Sequence, residues 1–434
     1  MGEDGQWSFA LNNDDPAVQA LGAGDSMTKT FTVASADGTA TQEVTVTING
    51  ANDSATISGS TTGAVAEDGN GRATGTLSVA DVDHGQAHVT AQTVQTDQGT
   101  FSIGENGQWT FQVNSANADV QALGAGESMT KTFAVASADG TATQNVTVTI
   151  NGANDSATIS GSTTGAVAED GNGRATGTLN VADVDHGQAH VTAQTVQTDQ
   201  GTFSIGENGQ WTFQVNSGNA DVQALGAGDS MTKTFTVTSA DCTDTQEVTV
   251  TIHGSNDSAT ISGDIAGGVG EDGTGTATGT LNVADVDNGE AHVQATSVET
   301  DQGTFTIGED GKWSFALNND DPAVQALGAG DSMTKTFTVT SADGTDTQEV
   351  TVTINGSNDS ATISGDIAGG VGEDGTQAAT GTLNVSDVDS GEAHVQATSV
   401  ETDQGTFTIG EDGKWSFALN NDDPAVQALG ASYS

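Results

Sequence analysis

From Thr143 to Ile150 the chain reads Thr-Gln-Asn-Val-Thr-Val-Thr-Ile, with apolar side chains alternating with threonine. A strand sends successive side chains to opposite faces, so a period of two marks a strand with one face in a core and one in water. The same alternation appears at Trp109, Phe111 and Val113, at Phe133 and Val135, at Leu77 and Val79, and at Phe101 and Ile103. Turn-forming clusters separate these runs: Glu67-Asp68-Gly69, Asp97-Gln98-Gly99, Glu105-Asn106-Gly107 and Asp139-Gly140. The pattern predicts seven strands, at 55–60, 73–80, 87–94, 99–104, 108–113, 129–137 and 143–151. A short helical turn fits the connection before the sixth. In the equivalent stretch Asp15 to Gly22, Asp caps, Pro16 suits the first turn and Gly ends it.

The pattern repeats. Tryptophan falls at Trp7, Trp109, Trp211, Trp313 and Trp415, in steps of 102 residues and in the context G-E-[DN]-G-[QK]-W. A period that long is a whole domain with its own core, which excludes short solenoid repeats. The chain therefore reads as a partial repeat at 1–53, three complete repeats at 54–155, 156–257 and 258–359, and a partial repeat at 360–434. Met1 stands where Ile103, Ile205, Ile307 and Ile409 stand, and Ala431 to Ser434 depart from the repeat. Both ends read as breaks within a longer protein.

Seven antiparallel strands per repeat predict an all-β, immunoglobulin- or cadherin-like sandwich. An odd number of passes starts a repeat at one end of its sandwich and finishes it at the other. Repeats so joined stack end to end, and the expected array is an elongated rod.

Composition narrows the function. Eight Lys and Arg stand against 59 Asp and Glu, a net charge of −51. Such a chain has no basic surface for nucleic acid and is repelled by anionic membranes. It carries no apolar run long enough for a membrane helix, so direct membrane insertion is not expected. The first residues lack the basic and apolar regions of a signal peptide, so a secreted or cell-surface protein would be exported by a signal outside this sequence. The single cysteine excludes an internal disulfide framework.

Counting strand directions brings acidic loops of adjacent repeats together. For the junction at Asn154-Asp155 the set is Glu67, Asp68, Asp155, Asp183, Asp185 and Asp241. Equivalent positions are Asn52, Asp53, Asp81, Asp83 and Asp139 at the first linker. They are Glu169, Asp170, Asn256, Asp257, Asp285, Asp287 and Asp343 at the next junction, then Glu271, Asp272, Asn358, Asp359, Asp387 and Asp389. Crowded carboxylates repel unless a cation neutralises them, and Ca²⁺ takes six to eight oxygens in flexible geometry. The alternatives are polar turns, which favour the same residues, and charge that serves only solubility.

At these residues the chain resembles a known family. The succession A-T-I-S-G, V-A-E-D-G, A-T-G-T-L-x-V-x-D-V-D, G-T-F-x-I-x-x-x-G-x-W, P-A-V-Q-A-L-G-A-G and T-V-T-I-N-G-x-N-D is similar to the VCBS repeat of very large secreted bacterial proteins, RTX adhesins included. The likeness spans essentially the whole chain. It implies a cadherin-like sandwich, calcium at the junctions, type I secretion, and roles in cell adhesion and biofilm formation. It also implies cadherin's junction set: Glu169 as the first-strand glutamate, Asn256 and Asp257 in the linker, Asp285 and Asp287 as the D-x-D pair, and Asp343 as the late aspartate. The linker lacks cadherin's longer acidic string, which leaves the number of ions per junction open.

An enzyme is not expected. His84 and His186 become Asn288 and Ser390 in later repeats, and no nucleophile recurs beside His88, His190, His292 and His394, which read as exposed strand positions. The expected role is an extender or spacer of an adhesin, with calcium and neighbouring repeats as partners and the adhesive target carried elsewhere. Two alternatives are a glycan- or protein-binding module and a flexible spacer indifferent to calcium. Cys242 replaces a hairpin glycine found at Gly38, Gly140 and Gly344, and His253 replaces Asn49, Asn151 and Asn355; both read as isolated drift.

Overall fold

The computed structural model describes residues 1–273 and 275–429, so the expectation about Ala431 to Ser434 lies outside the described residues. The chain forms two compact units. One comprises Met1–Val167, Arg174–Val215 and Thr232–Thr251; the other comprises Ala168–Gly173, Asn216–Met231 and the chain from Ile252 onward.

In the first unit, the stretch 54–155 holds β1 (Thr56–Gly59), β2 (Thr62–Ala66), β3 (Arg72–Ala80), β4 (Gln92–Thr96), β5 (Gly99–Ile103), β6 (Gln108–Val113), α1 (Ala118–Gln121), β7 (Ser128–Ala136) and β8 (Thr143–Asn151). A five-stranded sheet in the order β1-β3-β6-β5-β4 faces a three-stranded sheet in the order β2-β8-β7. Every pairing is antiparallel except β2 with β8, which is parallel. The second unit repeats this arrangement over 258–359.

The expected first strand at 55–60 is β1, and β2, which the alternation does not predict, follows it. The chain leaves the five-stranded sheet at Gly59 (φ +117°), where an added Cβ would lie 2.4 Å from the Thr76 carbonyl oxygen, and enters the other sheet at Thr62. Because β1 and β2 run on in one direction, the sandwich is still crossed an odd number of times. The expected third strand is shorter than its alternation implies. Residues 87–90 lie along the β7 edge, where Thr90 N–H donates to Ala136 O and His88 O accepts from Ala138 N–H, before β4 joins the larger sheet. This half-buries His88, and His190 and His292 are half-buried likewise, whereas His394 is exposed as expected.

The core lies between the sheets. Phe101, Phe111 and Trp109 are fully buried, and Phe101 stacks on Phe133 of the opposite sheet at 4.5 Å between ring centres. Trp109 packs on two glycines, Gly63 and Gly75, and its Nε1–H donates to Ser60 O at 2.8 Å. Residues 1–53 hold only the equivalents of β7 and β8, Ser26–Ala34 and Thr41–Asn49, and the equivalent Trp7 is 53% exposed.

Cys242 sits in the left-handed region at φ +64°, the only non-glycine to do so among the described residues. Its equivalents Gly38, Gly140 and Gly344 lie at φ +71°, +77° and +80°. At Gly140 a Cβ would touch nothing within 4 Å, so the cost at Cys242 is one of backbone alone. Cys242→Gly should stabilise its repeat by about 1 kcal/mol in denaturant titration. An unchanged midpoint would show that the hairpin carries no strain.

Candidate cation sites at the repeat junctions

Glu67 directly follows β2, and its N–H donates to Asn151 O at 2.9 Å, extending the parallel pairing by one residue. Ser115 Oγ bonds to the carbonyls of Glu67 and Gly69 and so holds the turn. The Glu67 side chain is thereby directed at the linker, where its Oε1 accepts from Ala153 N–H at 2.7 Å. From the other side, the Asp-x-Asp loop folds on itself, with Asp185 N–H donating to Asp183 Oδ1 at 2.9 Å. Asp185 Oδ2 then accepts from the linker residue Asp155 N–H at 2.9 Å.

The result is three carboxylates, Glu67, Asp155 and Asp185, with one oxygen of each within 4.8 Å of the others. Glu67 is 0% exposed and Asp185 2%. Glu67 Oε2, Asp155 Oδ2, Asp183 Oδ2 and Asp185 Oδ1 are all shielded from water without a donor. The second unit holds the same arrangement twice, as Glu169, Asp257, Asp287 and as Glu271, Asp359, Asp389. Buried anionic oxygens without donors are costly, and hard cations that take oxygen ligands are what such a set fits. The donor set is all oxygen, with no histidine or thiolate, which favours Ca²⁺ over zinc.

The other expected residues fall into four groups. Asp68 is exposed beside the cluster, and Asp170 and Asp272 stand in the same place after Glu169 and Glu271. Asp285 and Asp387 hold their Asp-x-Asp loops as Asp183 does. The late aspartates are engaged within their own turns: Asp139 accepts from Ser137 Oγ, Thr141 N–H and Asn52 Nδ2, and Asp241 from Thr243 and Asn154 Nδ2. Asn256 bonds to Asp343 in the same way, and Asn358 turns its amide to the Asp359 carbonyl. At the first linker Asp53 N–H donates to Asp83 Oδ2 and Asp83 N–H to Asp81 Oδ1, but the described residues place no glutamate against them.

One group was not anticipated. Glu290 brings an oxygen within 4.8 Å of Asp285 and Asp343. Its position is Gln86 and Gln188 in the earlier repeats and Glu392 in the last, so the signal was a change between repeats.

Titration should report this geometry. Burial, then repulsion from neighbouring carboxylates, pushes Glu67, Asp155, Glu169 and Asp257 up. A raised pKa means the folded state holds the proton more tightly. These groups therefore favour folding below the ordinary carboxylate range, and that contribution is lost as pH rises through and above it. Asp241 and Asp343 behave oppositely: burial pushes them up, but hydrogen bonds from their turn hydroxyls and linker asparagines outweigh it and hold them below the usual range. Their contribution is lost as pH falls below that range. Metal-free thermal melts should peak at about pH 4–5 and decline toward pH 7, with calcium abolishing the decline. A steady rise from pH 4 to 7 without metal would contradict this.

The family comparison agrees with this architecture. The bacterial cadherin-like domain matches three times, at residues 52–152, 154–254 and 256–356. No curated protein matches the chain. Among solved structures it is similar to the protocadherin GammaB4 extracellular domain, at 13% identity and a TM-score of 0.42, covering 90% of this chain and 71% of that one. It is also similar to Drosophila N-cadherin EC1-4, at 15% identity and a TM-score of 0.26, covering 78% and 85%. Cadherin-like repeats are a structural, extracellular type of domain, and no helix among the described residues is long and apolar enough to cross a membrane. With three matches spanning most of its length, the chain belongs to the bacterial cadherin-like domain family.

Proposed function

We propose that this chain is an extender segment of a secreted or cell-surface bacterial adhesin, in which Ca²⁺ bound between successive repeats stiffens the linkers. The observation that carries the reading is Glu67: a fully buried carboxylate with one oxygen lacking any donor, set against Asp155 of the linker and Asp185 of the next repeat. Glu67, Asp155, Asp183 and Asp185 would hold the ion, with Asp68 adding charge nearby. A bound cation supplies the positive charge that these oxygens lack and ties one repeat, its linker and the next repeat to a single centre.

The likeness to VCBS repeats of RTX adhesins extends the reading to export by a type I system and to support of biofilm formation, with the adhesive target carried by other modules. A glycan-binding role for the repeats gains little support. In the complete repeats 54–155 and 258–359 every tryptophan and phenylalanine is buried, leaving no aromatic platform for a sugar ring.

The test is a calorimetric titration of the metal-stripped chain with Ca²⁺, with melting followed in parallel. Saturable binding with a rise in melting temperature supports the reading. No heat and no shift would leave a calcium-indifferent acidic spacer.

A further inference from the structure

Two stretches of the chain each hold one layer of a repeat. Residues 22–53 differ from 328–359 only in Ala34 for Thr340, Ala40 for Asp346 and Ala51 for Ser357. They form a two-stranded sheet that faces no second sheet among the described residues. Residues 360–429 differ from 258–327 only at Gln377, Ala378, Ser386 and Ser390, and they form a five-stranded sheet that likewise stands alone. The inner faces are open. Phe31 is 46% exposed where its equivalent Phe337 is 5%, and Val33, Val44 and Val46 are half-buried where Val339, Val350 and Val352 are buried. An apolar groove of about 200 Å³ runs over these four residues. On the five-stranded sheet a groove of about 660 Å³ lies over Val371, Ala379, Leu383, Phe407, Trp415 and Phe417. The backbone edges are open in the same way. Ala266–Gly270 pairs in parallel with Thr351–Asn355, whereas the equivalent 368–372 forms no strand and the equivalent edge at Thr45 to Asn49 has no partner. Glu271 N–H donates to Asn355 O, and the equivalent Glu373 keeps Oε2 shielded from water with no donor.

We propose that the two layers complete each other between copies of this chain: the five-stranded sheet at 360–429 of one copy docks on the two-stranded sheet at 22–53 of a second copy. The occupant follows from the repeat itself, since 258–359 is nearly the same two layers joined in one chain and closed into a sandwich. The register follows too. Segment 368–372 becomes a parallel strand on the second copy, with Ala368 opposite Thr45 and Val371 opposite Ile48, as Ala266 stands opposite Thr351 and Val269 opposite Ile354. Phe407 stacks on Phe31, as Phe305 does on Phe337 at 4.5 Å between ring centres. Glu373 N–H meets Asn49 O, and the first linker, where Asp53 and Asp83 meet no glutamate, receives one. Removing two apolar faces and two open strand edges from water drives the association. Residues 1–21 repeat the pattern of 409–429 and give way to it, because residues 6–12 form no strand and Trp7 is half in water. Each copy offers one face of each kind, so the contact joins unlike surfaces and propagates head to tail.

The experiment is sedimentation velocity of the full chain over a concentration series, in calcium-containing buffer with enough salt to screen the charge of −51 on each copy. Phe31→Asp, Val371→Asp and an equimolar mixture of the two are run beside the wild type. The wild-type mass should rise with concentration through multiples of 43.3 kDa. Each variant alone should stay monomeric, because each has lost one of the two faces. The mixture should give a dimer and nothing larger, because one sound pair of faces remains. Neither substitution lies in the three complete repeats, so the main melting transition should be the same in all chains. A wild type that is monomeric at every concentration would overturn the inference. So would assembly that survives either substitution, which would place the contact elsewhere, or a mixture that stays monomeric, which would show that the two faces do not fit each other.

Discussion

Adding calcium to the metal-stripped chain is expected to raise the melting temperature of the repeats that flank a complete junction by about 10–20 °C. A ligand that binds only the folded state at a hundred times its dissociation constant contributes about 2.7 kcal/mol. For a domain of roughly 100 residues each kcal/mol moves the melting temperature by about 4–8 °C. Glu67→Gln gives this result a sharper form. An amide oxygen can still accept from Ala153 N–H, so a merely structural role for Glu67 predicts little change under any condition. If Glu67 is a ligand, the variant should match or exceed wild type in EDTA, because a buried charge beside Asp155 and Asp185 has gone. With calcium present it should fall below wild type. Loss of stability in EDTA with an unchanged calcium response would refute the ligand role.

The sequence made the sandwich legible because its strands alternate strictly and because one tryptophan marks each period. Reading was less successful where a segment's partner is remote. The β2 segment Thr62–Ala66 is short and carries Gly63, and it becomes a strand through its parallel pairing with Thr147–Asn151, a contact no local pattern encodes. Residues 87–90 alternate correctly but bond to the edge of the other sheet. At the junctions, strand counting sufficed to bring Glu67, Asp155 and Asp185 together, since it fixes the end of the sandwich at which each loop emerges. It gave no sign that Asp139 and Asp241 would be engaged by the hydroxyls and N–H groups of their own hairpins, a matter of side-chain rotamers. Glu290 escaped because recurrence was the criterion for a site, and that position differs between repeats.

Trp109→Ala is expected to cost its repeat about 3–5 kcal/mol, a large fraction of the stability of a domain this size. The indole is fully buried, its N–H donor is spent on Ser60 O, and the stretch 1–53, with only one of the two sheets, leaves the equivalent Trp7 half in water. The fit is unusually close on one side. A Cβ at Gly75 would lie 2.5 Å from two indole carbons, and one at Gly63 would lie 2.6 Å from a third. The strand pairing that sets Gly75 opposite Trp109 therefore leaves no room for even a methyl group. Gly75→Ala alone should cost about 1–3 kcal/mol through overpacking. In the smaller-side-chain background Trp109→Leu, the same Gly75→Ala change should cost nothing or be favourable, because the methyl then enters vacated space and alanine restricts the unfolded chain more than glycine. Denaturant unfolding of the four chains in a double-mutant cycle measures this coupling directly. Additive losses would mean that Gly75 is required by its backbone and not by the tryptophan, and the account of the core as an indole seated on two glycines would fail.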